Sequence, residues 1–484
     1  MKNTAYLTVR RRDFPRVGEG KDAVQRSSST GSDPASPALR EGSFTFYEAI
    51  KIIACQLFIM LGSIVSERRK KMAVIVPFKA LRPAREHVGK VASCAYDVID
   101  SDEARVLVKE NPKSFLHVVK AEIDLPEHTD PYDQSVYEKA RENLERLVRE
   151  KVLFIEGTPS FYVYRQKMGN HVQHGIVACA DISEYEAGRI KKHELTRAEK
   201  EADRTRHIDV VDAQTGPVFL TYRAVDSIDR LVADVVEGAP EYDFRADDGI
   251  THTVWIVSEE QAVRKIREAF SAIPSLYIAD GHHRAASSQA VRTVRRSRNR
   301  NHRGDEEYNY MMAVLFPHDQ LHVMAYNRVV KDLCGLTSSA FLERIAREFV
   351  VTDDPGRGVP AALHQYSMYL DSRWYRLSLK NEPPEGERIV ESLDASILQN
   401  MMLSPVLGIE DVRRDERIRF VGGIRGTGEL ERLVDSGDWA VAFSLYPVTV
   451  EQLMSVADGG EIMPPKSTWF EPKLRSGIFT HLLY

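Results

Sequence analysis

Two periods of hydrophobic and polar positions alternate along the chain from Met72 onward. In SVYEKARENLERLVREKV, apolar residues recur at helical spacing and predict an amphipathic helix over residues 135–152. The short apolar or β-branched runs AVIVPF, HGIVACADI, THTVWIV and PSLYIAD are typical of strands, and the last of them ends at Asp280. Because strand patterns and helix patterns interleave, we predict an α/β fold with mixed α+β character.

The pattern divides the chain into three regions. Residues 1–71 form an extension in which the stretch 17–43 is rich in Gly, Ser, Pro and charge and is expected to be disordered. The apolar run at 52–65 falls short of the roughly 20 residues that span a bilayer, so we favour a dispensable extension over a membrane anchor. We expect residues 72–300 to form an α/β domain with both motifs described next, and residues 301–484 to form a C-terminal α/β region that completes the site.

Overall charge and cysteine content narrow the function classes. The formal net charge of −5 and the pI of about 6.3 disfavour a protein that coats nucleic acid. The four cysteines show neither C-x-x-C nor zinc-finger spacing, which is typical of reduced thiols in an intracellular protein. We therefore expect a cytoplasmic protein with a small-molecule substrate, with no nucleic-acid or membrane partner; the oligomeric state stays open.

The sequence DGHHR follows a predicted strand and opens a predicted helix that starts near His282. Gly281 permits a tight turn, and the first turn of a helix offers unpaired N–H groups to an anion. The two imidazoles and the guanidinium of Arg284 add donors suited to phosphate oxygens. We therefore predict phosphate binding by Gly281, His282, His283 and Arg284, whereas Asp280 caps the helix, orients a histidine or binds Mg²⁺.

A second strand-to-helix turn, GRIKKHELTR, precedes another predicted helix. Thr196 and Glu199 match a capping box, which places the helix start near Arg197. Glu194 is a candidate base for a hydroxyl proton, kept ionised by neighbouring cations, and Lys192 is a candidate phosphate ligand. The alternative is a solvated basic turn. Arg197 stands where a zincin would have its second histidine, so the motif excludes that zinc site.

Two further segments complete the candidates. TGPVFLTYR offers Thr215 and Arg223 to a substrate, or is an ordinary turn into a core strand. In MPPKSTWFEPKLRSG, Lys466, Lys473 and Arg475 complete a phosphate site, or the segment clamps the C-terminus onto the core. No G-x-x-x-x-G precedes Lys466, so a P-loop is not supported.

The ordered blocks PFKALRP, NPKSFLHV, KKHELTRAEKEADR, TGPVFLTYR, YIADGHHRAA, RIRFVGG and PPKSTWFEPKLRSG resemble those of the DUF1015 family over almost all of Met72–Tyr484. DGHHRAA also resembles the signature of free-serine kinases in the ParB/sulfiredoxin-like superfamily. The resemblance implies a core of that superfamily with additional N- and C-terminal α/β elements. It also implies phosphoryl transfer from ATP, ADP or pyrophosphate, with Mg²⁺, to free L-serine, giving O-phosphoserine. Asp280–Arg284 would then hold phosphate and metal, and His193–Glu194 would match the catalytic His-Glu pair.

Two alternatives belong to other classes. A nucleotide-binding, ParB-like regulatory or DNA-partition protein without kinase activity would use the basic run RTVRRSRNRNHR at residues 292–303, which we interpret as a solvated loop. A sulfiredoxin-like redox enzyme would need a cysteine in the signature, and residues 280–284 contain none.

Overall fold

The computed structural model describes residues 73–354, 356–381 and 388–484. These residues belong to one structural unit, which spans Val65–Tyr484. The predicted extension over residues 1–71 and its apolar run lie outside the described residues. Among the described ranges, none of the helices combines the length and apolar character that crossing a bilayer requires.

The described ranges contain 21 strands. In chain order they are β1 (Ile75–Val76), β2 (Leu81–Pro83), β3 (Leu153–Ile155), β4 (Phe161–Met168), β5 (His171–Asp181), β6 (Ile190–Lys191), β7 (Ala213–Gln214), β8 (Val218–Tyr222), β9 (Tyr242–Arg245), β10 (Thr251–Val257), β11 (Leu276–Asp280), β12 (Tyr310–Pro317), β13 (His322–Met324), β14 (Tyr326–Val330), β15 (Phe349–Asp353), β16 (Gln365–Leu370), β17 (Arg373–Leu379), β18 (Ile418–Gly422), β19 (Val441–Leu445), β20 (Trp469–Glu471) and β21 (His481–Leu482).

The same ranges contain 13 α-helices, which with the strands confirm the mixed α/β prediction. In chain order they are α1 (Val88–Val91), α2 (Ser101–Val108), α3 (Leu116–Val119), α4 (Gln134–Arg149), α5 (Ile182–Glu186), α6 (Ala198–Val211), α7 (Asp226–Val236), α8 (Glu260–Phe270), α9 (His282–Arg298), α10 (Ser338–Ile345), α11 (Asp394–Leu398), α12 (Gly426–Asp435) and α13 (Val450–Asp458).

Nine of the described strands form one mixed sheet, in the order β6-β11-β8-β12-β5-β4-β10-β9, with β1 paired to the end of β5. The pairs β6–β11 and β8–β12 are parallel, and the others are antiparallel. Alternate residues of a strand face opposite sides, so Val177 and Cys179 pack toward the C-terminal residues while Ile176 and Ala178 pack toward α7 and α8. Both faces of this sheet are therefore buried.

A second, antiparallel sheet of six described strands has the order β15-β17-β16-β19-β14-β18. Its core includes α10 and α11. The first sheet draws on both predicted regions, because β12 comes from beyond residue 300 and pairs with β5 and β8. The division at residue 300 stays a prediction.

Two local predictions about helix ends are wrong. The capping box fails because α6 begins one residue later than expected, with Arg197 as its N-cap, and the Thr196 hydroxyl donates to Glu201 at 2.9 Å. The basic run predicted as a loop from residue 292 continues α9 as far as Arg298. Cations at a helix C-terminus interact favourably with the helix dipole, which helps to explain the longer helix.

Candidate functional site

The first sheet presents the DGHHR turn at the end of β11. Gly281 adopts φ 92° and ψ 32°, and α9 begins at the next residue. A Cβ on Gly281 would lie 2.9 Å from Cζ of Arg284, so both the backbone conformation and the packing require glycine. No side chain of a described residue caps α9, and the amide groups of its first turn are therefore available to an anion.

The Asp280 carboxylate is held by basic groups rather than acting as a helix cap. Its Oδ1 accepts a hydrogen bond from the amide of Gly281 at 2.9 Å, and its Oδ2 lies 3.3 Å from Arg284 Nη2 and 3.5 Å from Lys473 Nζ. Burial acts to raise the pKa of Asp280, but Lys473 and Arg284 outweigh it and hold that pKa well below its usual value. The carboxylate is therefore charged at neutral pH.

The second turn brings Glu194 and His193 against His282. The backbone N–H of His193 donates to Nε2 of His282 at 3.4 Å, which assigns the His282 proton to Nδ1. That Nδ1 lies 3.8 Å from Oε2 of Glu194. The His193 and His282 rings meet edge to face with centroids 4.5 Å apart. The predicted His-Glu pair and the DGHHR turn thus lie side by side.

Burial keeps the two facing histidines neutral. It lowers the pKa of His193 to about 4 and holds the pKa of His282 well below its usual value. Neither ring nitrogen of His193 completes a hydrogen bond of normal geometry with a described residue. His282 is therefore a neutral imidazole, and at 3.8 Å its Nδ1 is too far from Oε2 of Glu194 for a hydrogen bond.

Two opposed effects act on the pKa of Glu194. Its side chain is 45% exposed, and partial burial raises its pKa, although Lys466 opposes the shift. The sequence-based expectation considered only the cations, whose effect here is smaller than that of desolvation. A raised pKa brings the carboxylate closer to the range in which a general base operates near neutral pH.

The side chains of His283 and Arg284 form hydrogen bonds to neighbouring turns of the protein, so they are not directed freely toward a ligand. Nε2 of His283 accepts a hydrogen bond from the backbone N–H of Arg197 at 3.0 Å. Arg284 donates through Nη1 to the carbonyl of Pro217 and through Nη2 to Asp280. Both side chains therefore position the site's backbone and its carboxylate.

The C-terminal segment, defined as residues 463–476, closes over this site. The amide of Met463 donates to the carbonyl of His193 at 2.9 Å, and Lys473 reaches Asp280. Lys466 is exposed, with Nζ 5.5 Å from the ring centroid of Tyr326, and its charge acts on the Glu194 carboxylate. The segment thus supplies one lysine for each of the site's two acidic residues.

Two predicted ligands lie or point elsewhere. Arg475 forms an ion pair with Asp248, so its guanidinium is occupied away from Asp280. Arg223 follows β8 and pairs with Asp458 at 3.1 Å. The antiparallel register of β8 and β11 places Arg223 about 13 Å farther along β8 than the residue that lies opposite Asp280.

Two other predicted ligands lie at the edge of the site. Lys192 is exposed and makes no ion pair with a described residue. Thr215 is buried in the turn before β8, next to Gly216, where an added Cβ would lie 3.7 Å from Cδ of Arg284. The turn that contains Thr215 therefore packs against the Arg284 side chain.

Sequence reasoning missed the residues that surround Arg284. Tyr96 and Arg204 line a cavity with Arg284 and Ser476. Tyr96 lies in the stretch YDVID at residues 96–100, which carries no recognisable chemical motif, and Arg204 lies in a charged helix where a solvated role is the usual one. Only the long-range packing of distant chain segments brings these residues together.

Comparison with known proteins gives distant structural relatives. A conserved hypothetical protein from Pyrococcus furiosus has 14% identity and a TM-score of 0.31, covering 64% of this chain and 97% of its own. A free serine kinase in complex with AMP has 14% identity and a TM-score of 0.30, covering 63% and 91%. C-terminally truncated SbnI from Staphylococcus aureus has 13% identity and a TM-score of 0.33, covering 61% and 82%. Because these TM-scores are low, any assignment of function depends on the side chains themselves.

Comparison with curated proteins yields no match. A family model described as a protein of unknown function, DUF1015, matches residues 75–396. That range covers most of the chain and includes both turns of the site. The chain is a member of the DUF1015 family.

Proposed function

We propose that this protein is a small-molecule kinase that transfers a phosphoryl group from ATP, ADP or pyrophosphate to the hydroxyl of free L-serine. The observation that carries the proposal is that Glu194 lies beside the start of α9, which no side chain of a described residue caps. Oε2 of Glu194 is 3.8 Å from Nδ1 of His282, the first residue of that helix. Phosphoryl transfer needs a positioned base beside a group of anion-binding donors, and little covalent chemistry from the protein.

The donor phosphates would bind at the first turn of α9. Its free amide groups and Lys473 are the donors on this side of the site. Charge-assisted hydrogen bonds contribute about 1.5–3 kcal/mol each, so three of them support micromolar-to-millimolar binding after the cost of association.

Asp280 fits a role in binding Mg²⁺. Magnesium usually takes one or two carboxylates together with phosphate oxygens and waters, and Asp280 supplies one charged carboxylate at the phosphate turn. Among the described residues, no group of three or more His, Cys, Asp or Glu side chains is arranged to hold a metal ion. When bound, Mg²⁺ would neutralise charge on the transferring phosphate.

The acceptor hydroxyl would lie at Glu194. Its oxygen forms the new bond to phosphorus, the bond between phosphorus and the bridging oxygen of the donor breaks, and the hydroxyl proton moves to Glu194. The leaving group is ADP, AMP or phosphate, according to the donor. The Nδ1–H of His282 lies 3.8 Å from the Glu194 carboxylate, and the amide groups of α9 stabilise charge on the phosphoryl oxygens.

The DNA-partition alternative receives less support from the basic run. Arg292 pairs with Glu186 at 2.5 Å, and Arg295 and Arg298 pair with Asp209 at 3.1 and 3.4 Å. Arginines held by carboxylates of their own chain contribute less to binding of a nucleic-acid backbone. A salt-dependent shift of DNA at physiological ionic strength, without phosphoserine formation, would favour that alternative.

The test is to incubate the full chain with L-serine, Mg²⁺ and each donor in turn, and to detect phosphoserine by mass spectrometry. Glu194→Gln is expected to lower kcat by about 10²–10⁴-fold while donor affinity changes little, because it removes the base and keeps the shape. Glu199→Gln, at an exposed position of α6, is the matched control. Absence of phosphoserine with every donor, or full turnover in Glu194→Gln, contradicts the proposal.

A further inference from the structure

A row of three buried polar side chains crosses the first sheet on the face that packs against the C-terminal segment. His252 of β10, Gln166 of β4 and Gln173 of β5 are neighbours in register, and each is 0% exposed. Tyr164, on the same face of β4 as Gln166, belongs to the core cluster that contains Leu474 of the segment. Buried polar groups are normally hydrogen-bonded, so the partners of this row show what it holds in place.

The hydrogen bonds of the two glutamines run in a single direction. Nε2 of Gln166 donates to the carbonyl of Lys473 at 2.9 Å, because a carbonyl oxygen can only accept. Oε1 of Gln166 therefore faces Gln173, whose Nε2 donates to it at 3.0 Å. Oε1 of Gln173 lies 3.2 Å from Nε2 of His171, which then carries the ring proton. The orientation of both buried amides is thus set by the carbonyl of one residue of the C-terminal segment.

Side chains hold both backbone polar groups of Lys473. Its carbonyl accepts from Gln166, and its amide donates to Oε2 of Glu471 at 3.1 Å. Two residues later, Nε of Arg475 donates to Nε2 of His252 at 3.3 Å. The buried row therefore fixes the path of the backbone through Lys473, and it gives Arg475 an anchoring contact with the sheet.

We propose that Gln166 and Gln173 are positioning residues that place the Lys473 ammonium group at the donor-phosphate site. Nζ of Lys473 lies 3.5 Å from Oδ2 of Asp280, and the lysine side chain remains 23% exposed. A misplacement of about 1 Å can reduce activity about 10²-fold, so one hydrogen bond that fixes the backbone of a phosphate ligand is significant. The inference rests on the proposed function, which assigns the donor phosphates to this turn.

A double-mutant cycle on pyrophosphate binding tests the inference without requiring turnover. Gln166→Met keeps the side-chain length but loses both hydrogen bonds, and calorimetric titration of the full chain with Mg²⁺ present should show affinity about 10-fold lower. Lys473→Met should weaken binding by at least as much. The combined variant should bind no more weakly than Lys473→Met alone, because Gln166 acts through that lysine. In turnover assays, Gln166→Met should raise the KM for the donor and leave the KM for L-serine unchanged.

Two further variants separate positioning from general loss of stability. Thr221→Val is the matched control, since it removes a fully buried hydrogen bond of 2.9 Å to the carbonyl of Phe316 in β12. Gln166→Met combined with Gln173→Met replaces two mutually bonded amides by apolar groups, a change that folding tolerates better than the loss of one partner. It serves if Gln166→Met alone folds poorly, and it should weaken pyrophosphate binding to the same extent.

Each outcome of these measurements has a definite meaning. If Gln166→Met weakened pyrophosphate binding as much in the Lys473→Met background as in the unaltered chain, or if Thr221→Val weakened it equally, the inference would be overturned. Coupling of the two residues without any phosphoserine formation would support the positioning role and refute the kinase proposal. If the unaltered chain bound neither pyrophosphate nor ADP, both would fail.

Discussion

At the scale of single residues, Glu194 is controlled by two opposed effects. Partial burial raises its pKa, and the nearest cations, led by Lys466, lower it. Nε2 of His282 accepts from the His193 backbone, so the ring proton is on Nδ1, which lies 3.8 Å from the same carboxylate. The base of the proposed reaction is therefore tuned by a lysine that the chain supplies from its C-terminal segment.

Replacing that lysine should change the pH dependence of turnover. Lys466→Met removes a cation that lowers the pKa of Glu194, so the pKa rises and the acid limb of the kcat profile moves to higher pH. Activity increases with pH along this limb because the carboxylate must lose its proton to act as a base. A kcat–pH profile measures the shift. Lys265→Met, on an exposed face of α8, is the control, and an unmoved limb in Lys466→Met would contradict the assignment.

Gly281 permits a second test at this scale. Gly281→Ala places a Cβ 2.9 Å from Cζ of Arg284 at φ 92°, and we expect a loss of about 1–2 kcal/mol in the free energy of unfolding together with weaker donor binding. Gly304→Ala has φ 97° but open space around the added Cβ, so it isolates backbone strain from displacement of Arg284. Urea unfolding and ADP titration compare the two. If both variants bound ADP with equal affinity, displacement of the Arg284 side chain would have no role in donor binding.

At the scale of elements, local patterns were sufficient for several of the longer helices and strands. The helical spacing over residues 135–152 predicts α4, and the apolar runs predict β5, β10 and β11, because each pattern is a property of neighbouring residues. The last turns of α9 were not predicted. Their arginines are balanced by Asp209 and Asp212 of a different segment, and a sequence window cannot include such partners.

The ion pairs at this end of α9 predict a measurable contribution to stability. Arg295 is largely buried and contacts both Asp209 and Asp212, so Arg295→Gln should lower the free energy of unfolding by about 1 kcal/mol. Arg296→Gln, at an exposed position one residue later, should change it by less than about 0.5 kcal/mol. Urea unfolding at low and high salt provides the comparison. If the free energy of unfolding decreased equally in the two variants, the positive charge at the end of the helix, and not the ion pairs of Arg295, would be responsible.

At the scale of the whole molecule, the fold class and the two motifs could be predicted, but the composition of the site could not. Glu194 and Asp280 each follow a recognisable strand-to-helix pattern. The sequence alone does not show that Lys473, and not Arg475, pairs with Asp280. That pairing depends on the path that the C-terminal segment takes past the first sheet. Arg223 was misplaced for the same reason, because the antiparallel register of β8 and β11 directs it away from Asp280.

Buried neutral histidines make the folded protein less stable at acidic pH. Burial lowers the pKa of His207 to about 4, and the pKa values of His193 and His252 are lowered in the same way. Below pH 6.5 the unfolded chain binds protons that the folded chain excludes, so stability falls as pH decreases from 6.5 to about 4. Each such histidine contributes about 2–3 kcal/mol of this loss.

His207→Gln tests this dependence. The glutamine keeps a donor for the Val118 carbonyl, which Nε2 of His207 contacts at 3.0 Å, but it does not titrate. The free energy of unfolding of the variant should therefore decrease less steeply between pH 6.5 and pH 4. Denaturant unfolding across that pH range measures the slope. An unchanged slope would mean that His207 titrates normally in the folded chain.

The hydrogen bond between Met463 and His193 has a consequence for biosynthesis. A nascent polypeptide synthesised only as far as residue 450 already contains both sequence motifs, yet Lys466 and Lys473 have not been translated. Until the codons for those two lysines are read, the chain lacks the cations that act on Glu194 and Asp280. Premature termination or proteolytic trimming ahead of Met463 would then yield a product that retains the motifs without their cationic partners.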